Sequence, residues 1–319
     1  MSRSDRNRTM TINEQERAEL LSRLLVPENN KELSLEEITD CTVNADLISV
    51  MPHLPAGFVD LLIIDPPYNL TKDYNGKRFR SSSDQEYIGY VERWFQPLLR
   101  LLKKNASIYV CCDWRSSPAI YSVLSRYCRI RNRITWQREK GRGAAANWKN
   151  SMEDIWFATV SGNYYFDVNA VKMKRRVIAP YRSPAGKPKD WTEENEGCFR
   201  LTHPSNFWDD ISVPYWSMPE NTPHPTQKPE KLLAKLILAS SAPGAFVFDP
   251  FSGSGTTSVT AKKLGRHYAG VEIDTEYCLF AEKRLREAQK DPRIQGYTGG
   301  FFWERNTLAH QKRMRKQAQ

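Results

Sequence analysis

The chain lacks any stretch near the roughly 18–20 consecutive apolar residues that a bilayer-spanning helix needs. Its apolar run Leu61–Ile64 is closed on both sides by Asp60 and Asp65. The first ten residues carry no apolar core of a secretory leader, so a cytoplasmic protein without a membrane partner is expected. No two of the six cysteines form a C-x-x-C pair, and the five histidines complete no zinc pattern, so no metal is expected. Without H-x-E and P-C-x-x-C, a zinc nucleobase deaminase is excluded. Adjacent Cys111 and Cys112 lie in an apolar run and read as reduced core residues. Acidic charge is also short, with 37 Asp and Glu against 47 Lys and Arg, a net +10 that attracts polyanions. Nucleic acid is the first candidate.

What is present is alternating strand and helix. Phe58–Ile64 reads as a short buried strand, and Ser83-x-x-Glu86 as a capping box opening a helix to about Lys103. Ala106–Cys112 is a second strand, Ser117–Pro118 starts another helix, and Arg129–Gln137 alternates as a strand. A further block begins at Pro229: a helix to Ser240, a strand at 245–248, a helix at 256–264, a strand at 268–273 and a helix at 275–289. Residues 13–25 suit one amphipathic helix in a polar arm, and Gln311–Gln319 a basic, frayed end.

These patterns predict an α/β fold: a doubly wound, Rossmann-like, mostly parallel sheet. They divide the chain into an arm (1–32), one half of the α/β domain (33–140), an insertion rich in Pro, Trp and Tyr (141–223), the second half (224–290) and a tail (291–319).

Two motifs carry chemistry. Asp249-Pro-Phe-Ser-Gly253-Ser-Gly255-Thr-Thr257 lies between a strand and a helix. Glycines there let backbone approach a ligand, and the helix start offers free N–H groups. Glu272 closes the next strand, where an acid binds ribose hydroxyls in nucleoside-cofactor folds. Residue 258 is Ser rather than the third Gly of the dinucleotide fingerprint. The second motif is Asp65-Pro66-Pro67-Tyr68, at the end of a buried strand. The prolines remove donors, leaving the Asp65 carboxylate and the Pro66 carbonyl as acceptors beside an aromatic face. Two acceptors and a ring suit the exocyclic amine of a planar heterocycle. The plain alternatives are a strand-ending turn for one motif and an ordinary strand-to-helix turn for the other.

Together the motifs resemble those of the DNA amino-methyltransferases, which methylate adenine N6 or cytosine N4 with S-adenosylmethionine. The order, catalytic motif first, resembles the circularly permuted β class typical of bacterial restriction–modification systems, over about residues 38–290. The resemblance implies a sheet of seven strands and catalytic roles for Asp65, Pro66 and Tyr68. It places Asp46 near the cofactor's adenine, and makes His224-Pro-Thr226-Gln-Lys228 the segment closing over its methionine part. Phe251, Ser252 and Gly253 match cofactor contacts, Asp249 faces the charged methionine end, and Asp65 lies beside it. It also implies a double-stranded DNA partner, a cognate restriction endonuclease, a flipped target base, and a monomer or weak homodimer. Asp before Pro-Pro-Tyr favours adenine over cytosine, and resemblance to one adenine-N6 member implies the palindrome GAATTC. RNA or protein-glutamine acceptors go with Asn at that first place. A non-catalytic DNA-binding module stays open as a different class.

Between Lys172 and Lys189 lie seven basic residues and no acid, flanked by Tyr164, Tyr165, Tyr181 and Trp191. Lys172, Lys174, Arg175, Arg176 and Arg182 are therefore the candidate DNA contacts within a target-recognition region. The alternative is a solvated basic loop.

Overall fold

A computed structural model of the chain describes residues 6–28, 30–74, 76–138, 145–178, 181–194 and 197–305. The expected frayed end at 311–319 lies outside the described residues.

Eight strands form the central sheet: β1 (Cys41–Asn44), β2 (Val59–Ile64), β3 (Leu102–Cys112), β4 (Arg129–Gln137), β5 (Met152–Thr159), β6 (Phe207–Trp208), β7 (Phe246–Asp249) and β8 (His267–Glu272). Their spatial order is β1-β8-β7-β2-β3-β5-β4-β6. All neighbours run parallel except β5, which is antiparallel to both β3 and β4. The count exceeds the expected seven through β6, a two-residue strand whose length leaves no periodicity to read. Residues of β5 and β6 come from the stretch expected to be an insertion, so the chain returns to the sheet twice within it.

Alternation along β2 and β3 sorts side chains onto two faces. Leu62, Ile64, Ile108, Val110 and Cys112 face Tyr87, Val91, Trp94, Phe95 and Leu98 of α2 (Asp84–Leu98) and Ile120, Val123 and Leu124 of α3 (Ser117–Tyr127). Leu61, Ile63, Tyr109 and Cys111 face Leu232, Leu233, Leu236 and Ile237 of α4 (Glu230–Ser240), Val259 of α5 (Thr256–Lys263) and Leu285 of α6 (Thr275–Lys290). Helices on both faces of one sheet are the doubly wound arrangement.

The capping box is formed: the Glu86 N–H donates to Ser83 Oγ at 3.3 Å, and the Ser83 N–H to Glu86 Oε2 at 2.9 Å. α2 ends at Leu98, short of Lys103, with Pro97 in its last turn; a single 3-10 turn then leads into β3, which starts at Leu102 rather than Ala106. The helix of the arm, α1, covers Glu14–Leu21, is capped by Asn13, and stops before Leu25. It docks on α6 through Glu16, whose carboxylate pairs with Lys283 at 2.7 Å and Arg286 at 2.6 Å.

A second sheet joins Met173–Arg176, Thr192–Glu194 and Gly197–Thr202 to Tyr297–Thr298 and Phe301–Trp303. Residues past 290 thus complete a sheet begun far upstream. Val171, Met173, Ile294 and Phe302 pack on Ala234, Leu238 and Ala239 of α4.

β2 continues through α2 to β3 on one side, while β7 continues through α5 to β8 on the other. The chain therefore departs in opposite directions from the β2–β7 pair. That switch point opens a crevice beyond the carboxyl ends of the two strands, where ligands of such sheets bind.

Candidate active site

Beyond those strand ends lies a cavity of about 570 Å³, lined by Asp65, Pro66, Pro67 and Tyr68 after β2 and by Asp249 through Ser254 after β7. Pockets for small ligands span roughly 300–1,000 Å³. The two sequence motifs, distant in the chain, therefore share one chamber. Asp46, Thr226, Lys228, His224 and Glu272 line it too.

The glycine turn is held by carboxylates. Asp249 Oδ1 accepts the Phe251 N–H at 3.0 Å, and its Oδ2 accepts the Thr257 hydroxyl at 2.5 Å. Glu272 Oε2 accepts the Gly253 N–H at 2.9 Å, and Oε1 the Asp274 N–H at 2.8 Å. Gly253 has φ +50°, and a Cβ there would stand 2.9 Å from His224 Nε2. The His224 ring meets Tyr277 edge-on at 4.4 Å, so the segment from His224 to Lys228 lies directly over the turn. Burial pushes the His224 pKa down to about 3, and its imidazole is neutral. Burial also raises the Asp249 pKa to about 7, against the bonds from Thr257 and Phe251, and it raises that of Glu272.

Asp249 is thus a buried acid bonded to a hydroxyl and an N–H, and a cationic ligand group favours its charge. Glu272 and Asp46 also line the cavity as acceptors; Asp46 caps a short helix through the Ser49 N–H at 3.1 Å as well. A cavity with one acid for a cation and two for hydroxyls and an amine fits a charged nucleoside such as S-adenosylmethionine. Phe251, packed on Trp94 at 5.3 Å, and Ser252 complete the wall.

Gly255 departs from expectation. It does not line the cavity; at φ +73° its missing Cβ would lie 2.5 Å from the Ala281 Cβ of α6. Its smallness serves the packing of α6 against the turn.

At Asp65 the polar groups converge. The Tyr68 hydroxyl donates to Oδ1 at 2.8 Å, and the Lys228 ammonium to Oδ2 at 2.6 Å. Both donors also face Glu153 Oε2, each at 3.3 Å. Arg138 pairs with Glu153 Oε1. Lys228, placed by the sequence among the cofactor contacts, thus sends its charge to the catalytic motif while its stem lines the cavity. Burial and the charges of Asp65 and Glu153 lift the Tyr68 pKa well above its usual value, so the hydroxyl keeps its proton.

Sequence reading missed Glu153, Arg138, Lys72 and Arg78, of which the last three line the cavity. A signal for Glu153 existed: Glu153 and Asp154 are adjacent acids inside the apolar β5, and both are buried.

The candidate DNA contacts separate. Lys174 is buried; its ammonium pairs with Glu194 at 2.6 Å and sits 4.8 Å from the rings of both Phe199 and Trp303. It does not face solvent: it lies on the face of the second sheet opposite Met173, covered by the rings of Phe199, Phe301 and Trp303. Arg176 is exposed, Arg182 is exposed and stacked on Trp191 at 4.8 Å, and Lys172 and Arg175 are half-buried.

A family profile described as "DNA methylase", of the N6/N4 methyltransferases, matches residues 59–283. The chain is 32% identical over 250 residues to the DNA adenine methyltransferase YhdJ of Escherichia coli strain K12, covering 76% of this chain and 81% of that one. It is also 32% identical over 244 residues to the type II methyltransferase M.HpaI of Haemophilus parainfluenzae, covering 76% and 72%. Among solved structures, the cytosine-N4-specific PvuII DNA methyltransferase aligns with TM-score 0.56 at 16% identity, over 79% of this chain and 92% of that one. A putative DNA modification methylase from Thermus thermophilus, complexed with S-adenosyl-L-methionine, aligns with TM-score 0.52 at 18% identity, over 83% and 98%. The two structural likenesses bear on the fold alone.

Proposed function

The chain belongs to the N6/N4 family of DNA methylases, and from that premise we propose that it methylates the exocyclic N6 of adenine in a short palindromic site. It is a DNA methyltransferase, and S-adenosylmethionine is its cofactor. The observation that carries the reading is the common cavity of Asp65 and the Gly253 turn, lined also by the buried acid Asp249. Asp249, Glu272, Asp46, His224, Thr226, Phe251, Ser252 and Gly253 hold the cofactor. Bound there, the cofactor supplies an electrophilic sulfonium methyl.

Asp65 and the Pro66 carbonyl accept the two N–H bonds of the target amine and aim its lone pair at the methyl position. Their contribution is orientation and stabilisation of the positive charge that develops on the amine. An amine buried in base pairing cannot reach this chamber, so the base leaves the duplex at a cost of a few kcal/mol. Tyr68 offers its ring to the flipped base. The adenine assignment draws on Asp65 in the first place of the motif and on YhdJ, which is named an adenine methyltransferase. The PvuII enzyme shares the fold and acts on cytosine N4, so the fold does not discriminate. The palindrome GAATTC as the target site and protection against a cognate restriction endonuclease complete the proposal. The exposed Arg176 and Arg182, with Lys172 and Arg175, neutralise phosphates.

The test is transfer of a tritiated methyl group to unmethylated DNA, with analysis of the product nucleoside and of cleavage at GAATTC. N6-methyladenine and resistance at GAATTC are expected. N4-methylcytosine would select the other branch of the family. Asp65→Ala should abolish transfer while keeping DNA and cofactor affinity; transfer retained by that variant refutes the catalytic assignment.

A further inference from the structure

We propose that Glu153 is a positioning residue for methyl transfer, a second seat for the Lys228 ammonium when a target amine takes its place on Asp65. The proposal rests on the reading of Asp65 as the group that holds the target amine.

Both oxygens of Asp65 are already engaged, Oδ1 by the Tyr68 hydroxyl and Oδ2 by Lys228 Nζ at 2.6 Å. An incoming amine donating to Asp65 crowds these two donors, and one of them gives way to it. Charge decides which. Methyl transfer builds positive charge on the amine, and an ammonium on the same carboxylate opposes that charge. Tyr68 is neutral and carries no such penalty. Lys228 also has the longer reach, on a flexible four-carbon stem.

A displaced ammonium needs a counter-charge, because the side chain of Lys228 is only 9% exposed and a buried, unpaired charge is strongly destabilising. Glu153 supplies it. Its Oε2 lies 3.3 Å from Lys228 Nζ, and its side chain is 5% exposed. Arg138 holds the other oxygen, which fixes the carboxylate with Oε2 toward Lys228. The Tyr68 hydroxyl, 3.3 Å from the same Oε2, closes the cluster. Burial opposes the Lys228 charge, yet Asp65 and Glu153 raise its pKa above the usual lysine value, so an ammonium is what moves. Burial likewise opposes the Glu153 charge, and Lys228 and Arg138 overcome it. Before the base arrives, Lys228 is paired with Asp65. Afterwards Asp65 is free for the amine, and the buried charges still balance.

The test compares single-turnover methyl transfer to unmethylated bacteriophage DNA of mixed sequence by the wild type, Lys228→Met, Glu153→Gln and the double variant. Calorimetric titration with S-adenosylmethionine checks that each is folded. Glu153→Gln strands the displaced ammonium, so its rate should fall at least about tenfold. Lys228→Met removes a placeholder, so its loss should stay below about 100-fold, and the double variant should lie within about threefold of Lys228→Met. Three results overturn the proposal: a smaller loss in Glu153→Gln, a double variant slower than Lys228→Met beyond that margin, or abolition of transfer by Lys228→Met. Where Glu153→Gln alone does not fold, the comparison of Lys228→Met with the double variant decides. No transfer by the wild type sinks the reading of Asp65 and this proposal with it.

Discussion

Replacing Gly255 by alanine separates two roles that the glycine turn confounds. The residue sits at φ +73°, where a side chain costs roughly 1–2 kcal/mol in backbone strain. The new Cβ would also meet the Ala281 Cβ at 2.5 Å and the Ala281 Cα at 3.0 Å, so α6 must shift away from the turn. Overpacking of that kind costs about 1–3 kcal/mol. The expected loss of folding stability is therefore about 2–5 kcal/mol, read as a lower urea midpoint at unchanged slope. Because Gly255 faces α6 and does not line the cavity, the folded variant should bind S-adenosylmethionine nearly as the wild type does. Ala281→Gly in the same chain removes the closer contact and leaves the backbone strain. A double-mutant cycle should thus show a favourable coupling of roughly 1–2 kcal/mol, despite the cost of about 1 kcal/mol for glycine inside α6. The reasoning fails if the two changes are additive. It fails equally if Gly255→Ala weakens the cofactor while stability is unchanged, since that pattern belongs to a ligand contact.

Three other outcomes follow from the site and its supports. Asp249, with its pKa raised to about 7 by burial, must ionise to pair with a cationic cofactor. Cofactor affinity should rise as pH increases toward about 7 and level above it, with proton release seen by calorimetry in buffers of different ionisation enthalpy; Asp249→Asn should abolish that dependence. Arg176→Ala and Arg182→Ala should each flatten the salt dependence of DNA binding by about one unit of slope, whereas Lys174→Met, in the core of the second sheet, should lower the urea midpoint and leave the slope unchanged. Asp210→Asn removes the carboxylate that pairs with Lys231 and Lys235 at 2.6 and 2.7 Å inside the fold, and should cost about 3–5 kcal/mol in urea unfolding.

Asp210 also ties the two parts of the fold together. Lys231 and Lys235 belong to α4, which packs on the central sheet with one face and on the second sheet with the other. The apolar pattern of 229–240 announced a helix, but it did not show that both faces are covered. Every residue of α4 is buried. A sequence read for one buried face has no means of seeing a second, because the covering strands come from residues 173–176 and 297–303.

Local chemistry determined a large share of this protein. Ser83 and Glu86, Pro118, and the alternation along Arg129–Gln137 set their elements in place, since caps, proline and period-two patterning act within a few residues. Asp65-Pro-Pro-Tyr and the Gly253 turn were legible for the same reason: each is a compact set of groups whose chemistry is complete in itself. The tertiary structure alone decided how they meet. The reversal of strand order at β2 and β7 brings both turns to one crevice, and the same closure sets Lys228 between the carboxylates of Asp65 and Glu153. It also turns Lys174 inward and gives Gly255 to α6. Those assignments depend on strand register and on partners far along the chain, and charge or glycine in a sequence does not say which neighbour it will face.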